Sequence, residues 1–181
     1  MILGFSTQIN NRPTYFFERI WEGLLRFNFD TDIEYQLFLN AHHQQFGEYW
    51  DWFPDEHTRL TNTKGHTIRE DKNNRWHAGT MIDFFINTRQ KEMFRFAPVL
   101  PVVSVQKIEI KWFTFFDKKL VRVFIDDEQF ESVKIDNSHL QTTGRMEEFA
   151  QQDGFDTVTE FFEYFNEDFK GKIIHWTDKR Y

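Results

Sequence analysis

The spacing of apolar positions changes from helical to strand-like partway along the chain. "ILGFST" at residues 2–7 is a short apolar run closing in polar residues, and it predicts a strand. In "PTYFFERIWEGLLRF" Phe16, Phe17, Ile20, Trp21, Leu24 and Leu25 recur at three- and four-residue spacing behind Pro13, with Glu18 in the first turn. That pattern predicts a helix with a core-facing stripe. "TDIEYQLFLNAHHQQF" predicts a second helix, with Thr31 and Glu34 as a capping box and Ile33, Leu37, Phe38 and Ala41 as its buried stripe. "GEYWDWFPDEHTRLTNT" has no period; Trp50, Trp52 and Phe53 ahead of Pro54 predict an aromatic-anchored loop packed on the body.

From residue 80 the period becomes two. "TMIDFFINT", "EMFRFAPVL", "PVVSVQKIEIKWF", "LVRVFID" and "FESVKID" are rich in Val, Ile and Phe, and Val121, Val123 and Ile125 alternate with Arg122, Phe124 and Asp126. These predict strands of a mostly antiparallel sheet or small barrel. "GRMEEFAQQDGF" predicts a helix stopped near Gly154. "DTVTEFFEYFNEDFKG" predicts another, with Thr157 and Glu160 as a capping box, Phe161, Phe162, Phe165 and Phe169 as its stripe, and Gly171 as its end. "KIIHW" supplies a last strand. With no repeat or linker, the order predicts a single α+β domain over residues 1–181, built round a curved sheet.

Composition narrows the class. Of 181 residues, 40% are hydrophobic, and 23 Phe and 6 Trp supply ample surface to bury, which excludes a disordered chain. Cysteine is absent, so disulfides, thiolate metal sites and cysteine nucleophiles are excluded. The start has no signal-peptide pattern and no apolar run is long enough for a membrane span, so a cytoplasmic protein with no membrane partner is expected. A net charge of −7 argues against a broad phosphate-binding surface, so any contact with nucleic acid is expected to be local.

Against that acidic background, "KGHTIR" at 64–69 stands out. In an extended segment His66 and Ile68 face one way, Thr67 and Arg69 the other. Lys64 joins Thr67 if Gly65 makes a bend. The ammonium, hydroxyl and guanidinium would then either activate Thr67 as a nucleophile, with Lys64 as base, or hold a phosphate or carbonyl. The structural alternative is that Lys64 and Arg69 are solvated or paired with Glu70 and Asp71.

Residues 57–77 hold Arg59, Lys64, Arg69, Lys72 and Arg75 against Glu70 and Asp71, with Trp76 and histidines interleaved. Cations beside stackable rings suit single-stranded RNA, with Arg75 on phosphate and Trp76 on a base, although Trp76 before Gly79 reads equally as a core aromatic. Tyr49 to Phe53 is a candidate contact for a protein partner or a second copy. The seven histidines show no ligand spacing, so no metal is expected; His66 and His175 are candidates to line a pocket or to serve as structural histidines. Glycine-rich cofactor loops are absent, and no cofactor is expected.

Together "PTYFFERIWEGL", "KGHTIRED", "RWHAGTMIDF", "VQKIEI", "FAQQDGFDTVTEFFEYF" and "GKIIHW" resemble, in order, the ASCH domain family of the PUA-like superfamily. The resemblance implies a PUA-like small mixed β-barrel with flanking helices that binds RNA or a modified nucleoside. In compact members the lysine follows the first helix almost directly. Here residues 27–60 intervene as a helical and aromatic insertion. One branch of the family is similar in outline to amidohydrolases of N(4)-acetylcytidine. Carried over by position, its lysine falls on Lys64, its threonine on Thr67 and its acid on Asp153, where the family has Glu. The motif arginine falls on Arg69, which joins His66, Arg75 and Trp76 of the residue reading above as the candidate substrate contacts.

Overall fold

The computed structural model describes residues 1–26, 32–50, 62–116, 118–136 and 139–181. Thr31 of the expected capping box, Trp52, Phe53 and Arg59 lie outside them. The chain divides into two units, residues 1–64 with 80–101, and residues 65–79 with 102–181.

In the first unit β1 (Ile2–Phe5) runs parallel to β5 (Met81–Ile86), which pairs antiparallel with β6 (Phe94–Arg95) and β7 (Leu100–Pro101). A small hairpin of β2 (Gln8–Ile9) and β3 (Arg12–Pro13) turns through Asn10 and Asn11, both at positive φ as its two-residue turn requires. Helix α1 (Phe16–Arg26) buries the expected Phe16, Phe17, Ile20, Trp21 and Leu24, and the Trp21 indole donates to the Phe96 carbonyl at 2.6 Å. Ile82, Phe84 and Ile86 form the buried row of β5.

Helix α2 (Asp32–Phe46) sits where its pattern predicts, but rotated. Ile33 is 78% and Leu37 63% exposed and Ala41 is also outside, while Leu39 and His42 are buried. Aromatic area decides the orientation: Tyr35, Phe38 and His42 meet the rings of Trp21 and Trp50, and large rings gain more from burial than Ile33 and Leu37 would. Trp50 is buried among Phe17, Trp21, Tyr35 and His42; residues 51–61 of the expected aromatic-anchored loop lie outside the described residues. Tyr49 is exposed and stacks on His43.

The second unit is a six-stranded antiparallel sheet. Its strands are β4 (His66–Arg69), β8 (Ser104–Phe115), β9 (Lys118–Ile125), β10 (Glu128–Asp136), β11 (His139–Gln141) and β12 (Phe169–His175), in the order β11-β10-β9-β8-β12-β4. Ile110, Val121, Val123, Val133 and Ile173 form the apolar part of one face, which also carries the buried His66, Gln106 and His175 towards one end. Helices α3 (Gly144–Gln152) and α4 (Val158–Tyr164) cover it through Phe149 against Phe130 and Phe162 against Trp112. Among the described residues no sheet closes into a barrel, so the architecture is α+β with open sheets.

Thr157 caps α4 as expected, accepting from the Glu160 amide at 3.1 Å, while Glu160 accepts from the Asp156 amide. The helix stops at Tyr164 and does not run on to Gly171. Asp168 accepts from the Trp112 backbone N–H at 2.8 Å and the Trp112 indole N–H donates to the Phe165 carbonyl at 3.0 Å, so β8 pulls the chain out of helix. Phe169 and Gly171 therefore lie in β12. A Cβ at Gly171 would run into the Arg69 carbonyl and the Phe169 ring, which is why glycine is needed between two paired strands.

Candidate functional site

The motif forms the edge strand β4, in register with β12 as His66 opposite His175, Thr67 opposite Ile174, Ile68 opposite Ile173 and Arg69 opposite Lys172. Gly65 leads into it without a left-handed bend. Its amide donates to the Gln152 carbonyl at 3.0 Å, and an added Cβ would sit 2.7 Å from Gln152 Oε1. Glycine is there because the C-terminal end of α3 approaches closely, and this replaces the bend expected from sequence. The same hydrogen bond brings the segment that carries Asp153 to the motif.

Asp153 is the C-cap of α3 and is 4% exposed. An anion is electrostatically unfavourable at a helix C-terminus, so α3 does nothing to stabilise this carboxylate. Thr67 is 3% exposed and His66 1%. His66 and Ile68 share the face beneath α3, as the strand period predicts. The His66 ring lies 5.3 Å from Phe149 and 5.3 Å from His175, and its Nδ1 is 3.3 Å from the Tyr181 hydroxyl. Burial pushes the Tyr181 phenol up, helped by Glu148 and Asp153, so it stays a neutral hydroxyl. Burial and then Arg180 push His175 down to about 4, against the opposing pull of Asp126, and neither of its ring nitrogens has a hydrogen-bond partner.

Lys64 belongs to the first unit and is 2% exposed. Its amide donates to the Arg19 carbonyl at 3.1 Å, and its ammonium lies 4.6 Å from the Phe16 ring centre and 6.0 Å from that of Phe5. Aromatic faces replace part of the hydration a buried ammonium loses. Arg19 is buried too, and Glu18 beside it has an oxygen shut from water without a hydrogen-bond partner. Burial pushes the Glu18 carboxyl up to about 8 against the pull of its own amide and of Arg19.

Arg75 and Trp76 sit on a separate feature of the second unit. Asp71 takes the amides of Arg75 and Trp76 at 2.9 Å each and the Lys172 ammonium at 2.9 Å. Lys172 also reaches the Trp76 carbonyl at 2.7 Å and the Asn74 side chain. Burial works against the Asp71 charge, but these donors outweigh it and hold the carboxyl down at about 2. Trp76 is buried and so offers no open face for a base, whereas Arg75 is exposed. Lys172 is thus the partner that Asp71 takes, in the place the sequence suggested for Lys64 or Arg69.

Sequence reasoning gave Glu18 only a helix-start role and passed over Tyr181 and the Asp71–Lys172 pair. The detectable signal for Glu18 was an acid next to Arg19, inside a run of six residues that is otherwise Tyr, Phe and Ile. Tyr181 carried none. No group of three or more candidate ligands that would hold a metal ion occurs among the described residues. Compared with protein-family models, curated proteins and solved structures, the chain matches none.

Proposed function

We propose that this protein is a PUA-like, ASCH-like domain that binds RNA or a modified nucleoside through the Lys64-x-x-Thr67-Ile68-Arg69 segment, with His66 alongside. One observation carries the reading: three polar side chains within four residues, Lys64, His66 and Thr67, are each withdrawn from water. Polar and titratable groups drawn together out of water are more characteristic of a ligand site than of a strand kept only for packing. An amide-bearing pyrimidine would offer complementary donors and acceptors. Calorimetric titration with cytidine and N(4)-acetylcytidine tests this: wild type binds, Thr67→Val binds about tenfold more weakly for one lost hydrogen bond, and absence of heat with both nucleosides refutes it.

Asp153 favours a second reading, amide hydrolysis. Its carboxyl group is buried at the C-terminus of α3, and the hydrogen bond from Gly65 to Gln152 brings that segment to the motif. In that reading Thr67 Oγ attacks the acetyl carbonyl and gives up its proton to a general base, the role the resemblance assigns to Lys64. The cytosine amine leaves with a proton, and water then cleaves the threonyl ester to release acetate. Acetate release that is lost in Thr67→Ala and Asp153→Asn supports it; equal release by the variants refutes it.

A further inference from the structure

We propose that the outer face of the six-stranded sheet is a second site, a track for single-stranded nucleic acid. The side chains of β8, β9 and β12 that point away from α3 and α4 include Lys107, Lys111, Lys118, Arg122, Lys170 and Lys172. The same three strands contain one carboxylate, Glu109. In a chain of net charge −7 this is a marked local excess of positive charge.

Two of these cations are committed elsewhere. Lys172 holds the Asp71 loop and Lys118 pairs with Asp136 at 3.0 Å. Lys107, Lys111, Arg122 and Lys170 remain, Lys111 and Lys170 sharing Glu109 at 3.0 and 2.7 Å. Lys107 and Lys170 are 71% and 80% exposed; the Lys107–Asp127 pair is of the surface kind, worth under about 1 kcal/mol, and the half-buried Glu109 keeps Lys111 when Lys170 turns to a phosphate. A phosphate can take them over at little cost.

Aromatic rings lie among the cations. Lys111 Nζ is 5.2 Å from the Phe124 ring centre and the Arg122 guanidinium is 5.3 Å from that of Phe113. Beside Phe124 a cavity of about 160 Å³ is lined by Lys107, Glu109, Phe124, Asp127 and Lys170. That is smaller than the roughly 300 Å³ at which sites for drug-sized ligands begin, so it suits one flat ring. Phe124 would take the face of a base. Glu109 and Asp127 would accept from its exocyclic amine, and the lysines would take the phosphates on either side. An acidic peptide would satisfy the cations but not the ring or the two carboxylates.

Anisotropy of a labelled oligocytidylate of about 12 nucleotides, titrated from about 50 to about 200 mM salt, tests the assignment. Wild type binds with a log K against log salt slope near −3, as expected for about four phosphates at about 0.7 each. Joint replacement Lys107→Gln, Arg122→Gln and Lys170→Gln reduces the slope by about 2. Phe124→Leu weakens binding about 5- to 100-fold and leaves the slope unchanged. Absence of binding at the lowest salt, an unchanged slope in the triple variant, or equal competition by oligoglutamate or by duplex DNA overturns it. The triple variant keeps nucleoside binding at the motif, so this assignment and the motif reading fail separately.

Discussion

Replacing Glu18 with Gln should make the protein more stable at neutral pH, and by an amount that depends on pH. The folded-state value near 8 stands above the ordinary 4.5, so the native state retains a proton that the unfolded chain releases. Stability is therefore full below about pH 4.5 and is lost progressively as pH rises to about 8. At about 1.4 kcal/mol for each pH unit between the two values, the loss is about 3 kcal/mol at pH 7 and approaches 5 kcal/mol above pH 8. Both are ceilings, because the residue as a whole is only half-buried. Gln keeps the shape and cannot ionise. Urea unfolding of wild type and Glu18→Gln at intervals from about pH 5 to about pH 9 reads the difference directly. The variant should match or trail wild type at pH 5 and exceed it by at least about 2 kcal/mol at pH 8. Midpoints that run parallel across the whole range would show that the native state does not keep this proton, and would refute the reasoning.

Four further outcomes follow from the same structure. His175 titrates in the folded state near 4 and in the unfolded state near 6.5, so stability is present above about pH 6.5 and is lost as pH falls to about 4; His175→Phe should flatten this acid limb in urea unfolding. Gly171→Ala forces a methyl group onto the Arg69 carbonyl and should cost about 2–4 kcal/mol in urea unfolding. Gly65→Ala meets only the movable end of Gln152 and should cost about 1 kcal/mol or less in the same assay. Asp71→Ala removes the acceptor of two amides and one ammonium, and faster amide exchange at Arg75 and Trp76 should report the loosened loop.

The sequence was most legible where one period dominated. α1 and the alternating strands β5, β8 and β9 lie where their apolar spacing puts them, because each buries a single continuous row against one neighbour. α2 was legible as a helix but not in its orientation. Ile33, Leu37 and Ala41 offer one stripe and Tyr35, Phe38, Leu39 and His42 another, and only the positions of Trp21 and Trp50 decide between them. The end of α4 was hidden for a similar reason: Phe169 continues the helical spacing, yet Trp112, more than fifty residues away, holds Asp168. In the candidate site the burial of Thr67 was not visible in an edge strand, and Gly65 had a steric reason where a conformational one was expected. The Asp71–Lys172 pair joins residues a hundred positions apart and has no local signature.

Nucleoside binding at the motif is the central claim, and the amide signals of Gly65 to Arg69 test it most directly. On titration with N(4)-acetylcytidine these signals, including that of the buried Thr67, should shift in wild type and stay fixed in Thr67→Val. Signals that stay fixed in wild type at millimolar nucleoside, or that shift equally in both proteins, would contradict the account.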